Sequence, residues 1–140
     1  MGTELLGQIE KQQPALLKRN VQLRVYGIAN SRKLLLNSQG IDLSGDWKAA
    51  LESASEGLSV ERLHQFANDN SLVNPVIVDC TSHEAIAEQY VDMMESGFHV
   101  VTPNKSANTS AMSYYRKLRK TAQSTNRQYL YETTVGAGLP

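Results

Sequence analysis

Residues 75–105 read PVIVDCTSHEAIAEQYVDMMESGFHVVTPNK, and this stretch decides the fold. The apolar run PVIVDC (75–80) is short, rich in β-branched residues and closed by the polar pair Thr81-Ser82, the pattern of a strand. Helical spacing resumes over residues 85–94 through Ile86, Tyr90 and Met93. Gly97 stands where that helix should end, FHVVT (98–102) makes a second strand, and Pro103-Asn104-Lys105 interrupts it. Two strands separated by a helix predict a parallel pair joined by a crossover, since an antiparallel hairpin needs only a short turn.

The alternation extends in both directions. A polar helix is expected over residues 108–125 and a last strand over 128–134 (QYLYETT). Toward the N-terminus, residues 3–19 carry Leu5, Leu6, Ile9, Leu16 and Leu17 on one helical face, with Pro14 expected to kink or end the helix. Residues 21–29 (VQLRVYGIA) read as a mostly buried strand, 37–44 as a turn-rich connection around Gly40, and 47–53 and 60–70 as helices. The expected fold class is α/β: a Rossmann-like, doubly wound, mostly parallel sheet. Its first element is a helix opening at Gly2, so the strand that normally precedes that helix is expected to be lacking.

Composition narrows the partners. The chain has 140 residues, 41% of them hydrophobic, enough for a single domain with a real core. Fourteen basic residues balance fourteen acidic ones, which removes the electrostatic argument for nucleic acid or an anionic membrane surface. No apolar run approaches the roughly 20 residues needed to span a bilayer. One cysteine, Cys80, cannot form an internal disulfide, and no secretory signal or lipidation motif is visible, so a cytoplasmic location is expected.

In open parallel sheets, ligands sit at the carboxyl ends of strands. The loops to inspect are therefore 29–33, 79–82, 102–105 and 132–139. In the first, Asn30-Ser31-Arg32-Lys33 holds no carboxylate that would repel a ribose 2′-phosphate, and Arg32 can grip one bidentately; two ordinary surface cations fit the loop equally. Thr81 and Ser82 can bond a cofactor, or Ser82 can cap the next helix. Cys80 has no neighbouring histidine or cation in sequence and is assigned no chemistry. His64, His83 and His99 share no metal-ligand spacing. Lys105 can hold a carboxylate or polarise a reacting oxygen, or it is a surface lysine. Glu132 and the glycine-rich end can surround a hard cation or form a tight turn. Of a G-x-G-x-x-G fingerprint, only Gly2, fit to be its third glycine, is present.

Four segments in register, VYGIANSR (25–32), NPVIVDCTS (74–82), GFHVVTPNKSAN (97–108) and YETTVGAGLP (131–140), closely resemble the cofactor domain of homoserine dehydrogenase, especially that of the bacterial bifunctional aspartate kinase/homoserine dehydrogenases. The resemblance runs from Gly2 to Pro140. It implies interconversion of aspartate 4-semialdehyde and homoserine with NADPH or NADH in a homo-oligomeric parent enzyme. It places Gly2 at the cofactor loop and Ala29 near the adenosine half, and Asn30 and Arg32 of the adjoining loop are cofactor-binding candidates beside it. By the resemblance Thr81 and Lys105 fall at the nicotinamide end, with Lys105 also beside the substrate, and Ser82 next to Thr81 is a further cofactor-binding candidate. Glu132, with the carbonyls of Val135, Ala137 and Leu139, is similar to the family's sodium site. The resemblance further implies that residues 1–140 are a truncated domain, lacking the first strand and the substrate and dimerisation domain, and inactive alone. The competing expectation is a non-catalytic Rossmann-like module that binds a nucleotide or pairs with itself through an open sheet edge.

Overall fold

In the computed structural model, which describes residues 1–131, strand β3 (Val76–Val78) runs parallel to β4 (His99–Val101), and β4 runs parallel to β5 (Tyr129–Leu130). The register sets Ile77 beside Val100 and Val101 beside Leu130. These strands lie in residues 60–140, one of two units into which the chain divides; the other is residues 1–59.

Helices cross between the strands. Helix α3 (Val60–Asp69) precedes β3; α4 (Glu84–Ala87) and α5 (Tyr90–Glu95) lead to β4; α6 (Ser106–Thr109) and α7 (Met112–Thr125) lead to β5. Their apolar faces and the strands bury Tyr90, Met93, Met94, Val100 and Leu118 completely, or very nearly so, in one core. Burying a side chain the size of Leu118 contributes about 2 kcal/mol.

The expected helix over 85–94 is two short ones. At Glu88 and Gln89 the chain tightens, with the Gln89 N–H bonding the Ile86 carbonyl, and this turn precedes the buried Tyr90. The helix expected over 108–125 is likewise divided, because Ser110 adopts an extended conformation between α6 and α7.

Both α5 and α7 stop where the sequence allows a left-handed residue. Gly97 has φ of 96°, and its N–H and that of Phe98 bond the Met94 and Met93 carbonyls, turning the chain into β4. Asn126, at φ 53°, closes α7 ahead of β5.

Residues 1–59 form a helix, a hairpin and a short helix. Helix α1 (Gly2–Lys18) spans the expected stretch and runs through Pro14, so of the two outcomes expected there, a kink or an end, the end does not occur. The proline deprives the exposed Glu10 carbonyl of its helical partner, which water can replace. Strand β1 (Gly27–Ala29) pairs antiparallel with β2 (Leu34–Leu36), and the Leu34 N–H bonds the Glu56 carbonyl. Helix α2 (Trp47–Ser53) starts at Asp46, whose carboxylate accepts the Ala49 N–H.

The hairpin corrects the expectation of a mostly buried strand over 21–29. Carbonyls in this stretch are engaged locally: Leu23 O accepts from the Gln13 amide, Val25 O from the Ile41 N–H, and Tyr26 O from the Asn37 N–H. Val21 and Leu23 are exposed, and only the last three residues are strand.

Candidate functional site

The carboxyl ends of β3 and β4 carry two polar loops, and buried side chains bind them together. Asp79 follows β3 and is 4% exposed, so its carboxylate must be satisfied within the protein. The Tyr90 hydroxyl donates to Asp79 Oδ2 at 2.5 Å, the Thr81 N–H donates to Oδ1 at 2.8 Å, and the Asn104 amide reaches Oδ2 at 3.3 Å. Burial raises the Tyr90 hydroxyl well above the ordinary tyrosine range, and its bond to Asp79 raises it further, so it remains a donor at any working pH.

Thr102, fully buried after β4, joins the same cluster. Its hydroxyl lies 3.1 Å from the Asp79 carbonyl and 3.0 Å from the Tyr90 hydroxyl, and it accepts the Asn104 N–H at 2.8 Å. Asn104 Nδ2 also donates to the His83 carbonyl at 3.1 Å, while its Oδ1 accepts the Ser106 N–H at 3.0 Å. The polar cluster thereby joins residues 79–83 to residues 102–106.

Three candidate residues stand on this base. Thr81 and Ser82 are exposed on the first loop, and Lys105 is exposed on the second, directly after buried Asn104. Thr81 Oγ1 accepts the His83 N–H at 3.3 Å, which shapes the turn. The N-cap position of α4 is His83, without a side-chain bond, so Ser82 does not cap that helix. Cys80 is half-buried, and burial followed by the adjacent Asp79 charge pushes its thiol up, away from the reactive thiolate.

Other candidates lie in residues 1–59. Gly2 is the first residue of α1. Ala29 ends β1, and Asn30 and Arg32 form the exposed hairpin turn, where Asn30 Oδ1 accepts the N–H groups of Arg32 at 2.9 Å and Lys33 at 2.8 Å. This Asx turn holds the backbone while leaving the Arg32 side chain exposed. Glu132, Val135, Ala137 and Leu139 lie outside the described residues. Among those described, no group of three or more His, Cys, Asp or Glu side chains is placed to hold a metal, and no helix is long and apolar enough to cross a membrane.

A surface cleft of about 370 Å³ is lined by Glu61, His64, Asp92, Glu95 and Ser96 among others. It reaches Ser96, ahead of the first residue of β4, and so lies toward the amino ends of the strands, away from the loops just described.

Sequence reading singled out Thr81, Ser82 and Lys105 but not the buried residues beneath them. Asp79, Thr102 and Asn104 lay within the loops chosen for inspection, and their polarity at strand ends was the available signal. Tyr90 gave none, because its ring fits the apolar helical stripe.

Parallel strands connected by helices, with polar loops gathered at their carboxyl ends, define an α/β domain of the dinucleotide-binding class. The chain belongs to the homoserine dehydrogenase NAD-binding domain family, whose sequence model matches residues 1–132. A bifunctional aspartokinase/homoserine dehydrogenase of Haemophilus influenzae is 48% identical over the whole chain, which spans 17% of that relative's length. A Candida auris protein of unknown function is similar in structure, with 30% identity and a TM-score of 0.72, over 86% of this chain and 34% of its own. A hyperthermophilic archaeal homoserine dehydrogenase solved with NADPH is 20% identical, with a TM-score of 0.71, over 96% of this chain and 41% of its own.

Proposed function

We propose that this chain is the dinucleotide-holding part of an oxidoreductase that interconverts aspartate 4-semialdehyde and homoserine, and that residues 1–140 are one portion of a longer enzyme. The observation that carries the reading is the pair of exposed loops bearing Thr81, Ser82 and Lys105, fixed at the strand ends by the buried Asp79–Asn104 cluster. The family match over residues 1–132 adds the cofactor class.

These residues suit a dinucleotide chemically. NADPH or NADH, when bound, supplies the hydride that reduces an aldehyde carbonyl. Thr81 and Ser82 offer hydroxyls to the nicotinamide end, and the Lys105 ammonium offers a charged donor beside the reacting oxygen or a substrate carboxylate. Ala29, Asn30 and Arg32 would face the adenosine half, with Arg32 suited to a 2′-phosphate. Gly2, lacking a Cβ, permits close approach at the start of α1.

Glu132 and the carbonyls of Val135, Ala137 and Leu139 would offer oxygen donors of the kind a hard cation takes, and by the family resemblance that cation would be a bracing sodium. The semialdehyde and the remaining catalytic groups would be held by parts of the enzyme beyond this chain.

Calorimetric titration of the chain with NADPH and with NADH, in sodium-containing buffer, tests the reading. Saturable heat supports it. An absence of heat at millimolar cofactor removes nucleotide binding from this chain by itself. The second reading, a self-associating module, draws on β3, which lies at one edge of the three-stranded sheet with Val76 and Val78 exposed. Mass that rises with concentration, with no cofactor heat, would favour it.

A further inference from the structure

We infer that Asn104 is a positioning residue: its side chain locks the 79–83 loop to the start of α6, so that Thr81 and Lys105 are presented to the dinucleotide as one rigid unit. The inference rests on the proposed function for what the unit presents, and on geometry alone for the lock.

Asn104 is 5% exposed, and three contacts engage both ends of its side-chain amide while a fourth engages its backbone N–H. Nδ2 bonds the His83 carbonyl and the Asp79 carboxylate, Oδ1 accepts the Ser106 N–H, and the backbone N–H bonds the Thr102 hydroxyl. Two of these contacts are local turn bonds that would hold the chain around Lys105 in any case. The other two cross 21 and 25 positions of sequence to a different loop. A residue needed only to start α6 has no use for them. Two donors on one nitrogen and an acceptor beside it are what this bridge demands, and among side chains of this length only asparagine supplies them.

Asn104→Ser separates the two roles. A serine hydroxyl can accept the Ser106 N–H, preserving the local turn, but is too short to bridge to His83. Amide hydrogen exchange on the 140-residue chain should show Thr81 and Ser106 exchanging about tenfold faster in the variant, with Val100 and Leu118 unchanged, and NADPH binding weakened about tenfold. Asn104→Asp, equal in size but with an oxygen facing Asp79 and the His83 carbonyl, should be at least as disruptive.

Wild-type exchange at Thr81 with the serine variant, or acceleration spread equally through β4 and α7, overturns the lock. A measurement on the unmodified chain guards against a variant that does not fold: the Thr81 and Ser106 amides should open with the same free energy across a denaturant series, and separate opening overturns the inference. If exchange behaves as expected but the wild-type chain gives no NADPH heat, the lock stands and the dinucleotide reading falls.

Discussion

The Tyr90 hydroxyl sits 2.5 Å from Asp79 Oδ2, and neither residue is accessible to solvent beyond a few per cent. The hydrogen-bond donors that hold this buried carboxylate are neutral: the Tyr90 O–H foremost, with the Thr81 N–H and the Asn104 amide. Tyr90→Phe keeps the ring packing and removes that donor. It should destabilise the chain by about 2 kcal/mol, read as a lower urea midpoint. An unchanged midpoint would mean that Thr81 and Asn104 satisfy Asp79 without it.

Arg32 stands at the exposed turn between β1 and β2, its backbone held by Asn30. If it grips a 2′-phosphate, Arg32→Ala should weaken NADPH about tenfold and leave NADH unaffected, measured by calorimetry. Equal weakening of both would remove the phosphate contact and leave only a general role for the charge.

His99 accepts the Gln128 N–H at Nδ1 and has the Arg127 guanidinium 3.3 Å from Nε2. Burial, and then the Arg127 charge, hold its imidazole below the usual histidine range. The folded state therefore disfavours the proton. This contribution to stability is fully present above the unfolded value of about 6.5 and is lost as pH falls from there through the folded value. Between pH 7.5 and 5 the wild type should lose more stability than His99→Asn, which keeps an acceptor but cannot titrate there. Parallel losses in chemical denaturation would show that the bond does not sense protonation.

Gly97 ends α5 at φ 96°, and an added Cβ would meet nothing within 4 Å. Any penalty for Gly97→Ala is thus one of backbone conformation, about 1 kcal/mol, and Gly97→Asn should cost less because asparagine tolerates positive φ. Thermal melts of the two variants distinguish this from a packing role, which would penalise the larger side chain more.

The strands at 76–78, 99–101 and 129–130 were legible because β-branched runs alternate with helical spacing at crossover lengths. Gly97 was legible as a terminator because its backbone freedom is local. The division of α4 from α5 was not, since periodicity runs unbroken through Glu88 and Gln89 and the turn appears only in the folded backbone. The β1–β2 hairpin escaped reading because VQLRVYGIA has a strand's composition, whereas its pairing is decided by the Asn30 turn and by carbonyls engaged elsewhere. At the site, Thr81, Ser82 and Lys105 could be found as polar residues at strand ends. The bond from Asn104 to His83 depends on distance in three dimensions and has no one-dimensional signature.

The order β3-β4-β5 is also the order of synthesis. Among these three strands, β4 and then β5, once its crossover helices have emerged, adds to an edge that already exists, and none waits for a later one of the three to be inserted between it and its neighbour. During translation these three strands can be laid down in turn, like a page being ruled line by line. A nascent chain that has emerged through α7 would therefore present β4 with one flank already occupied and the other ready for Tyr129 and Leu130.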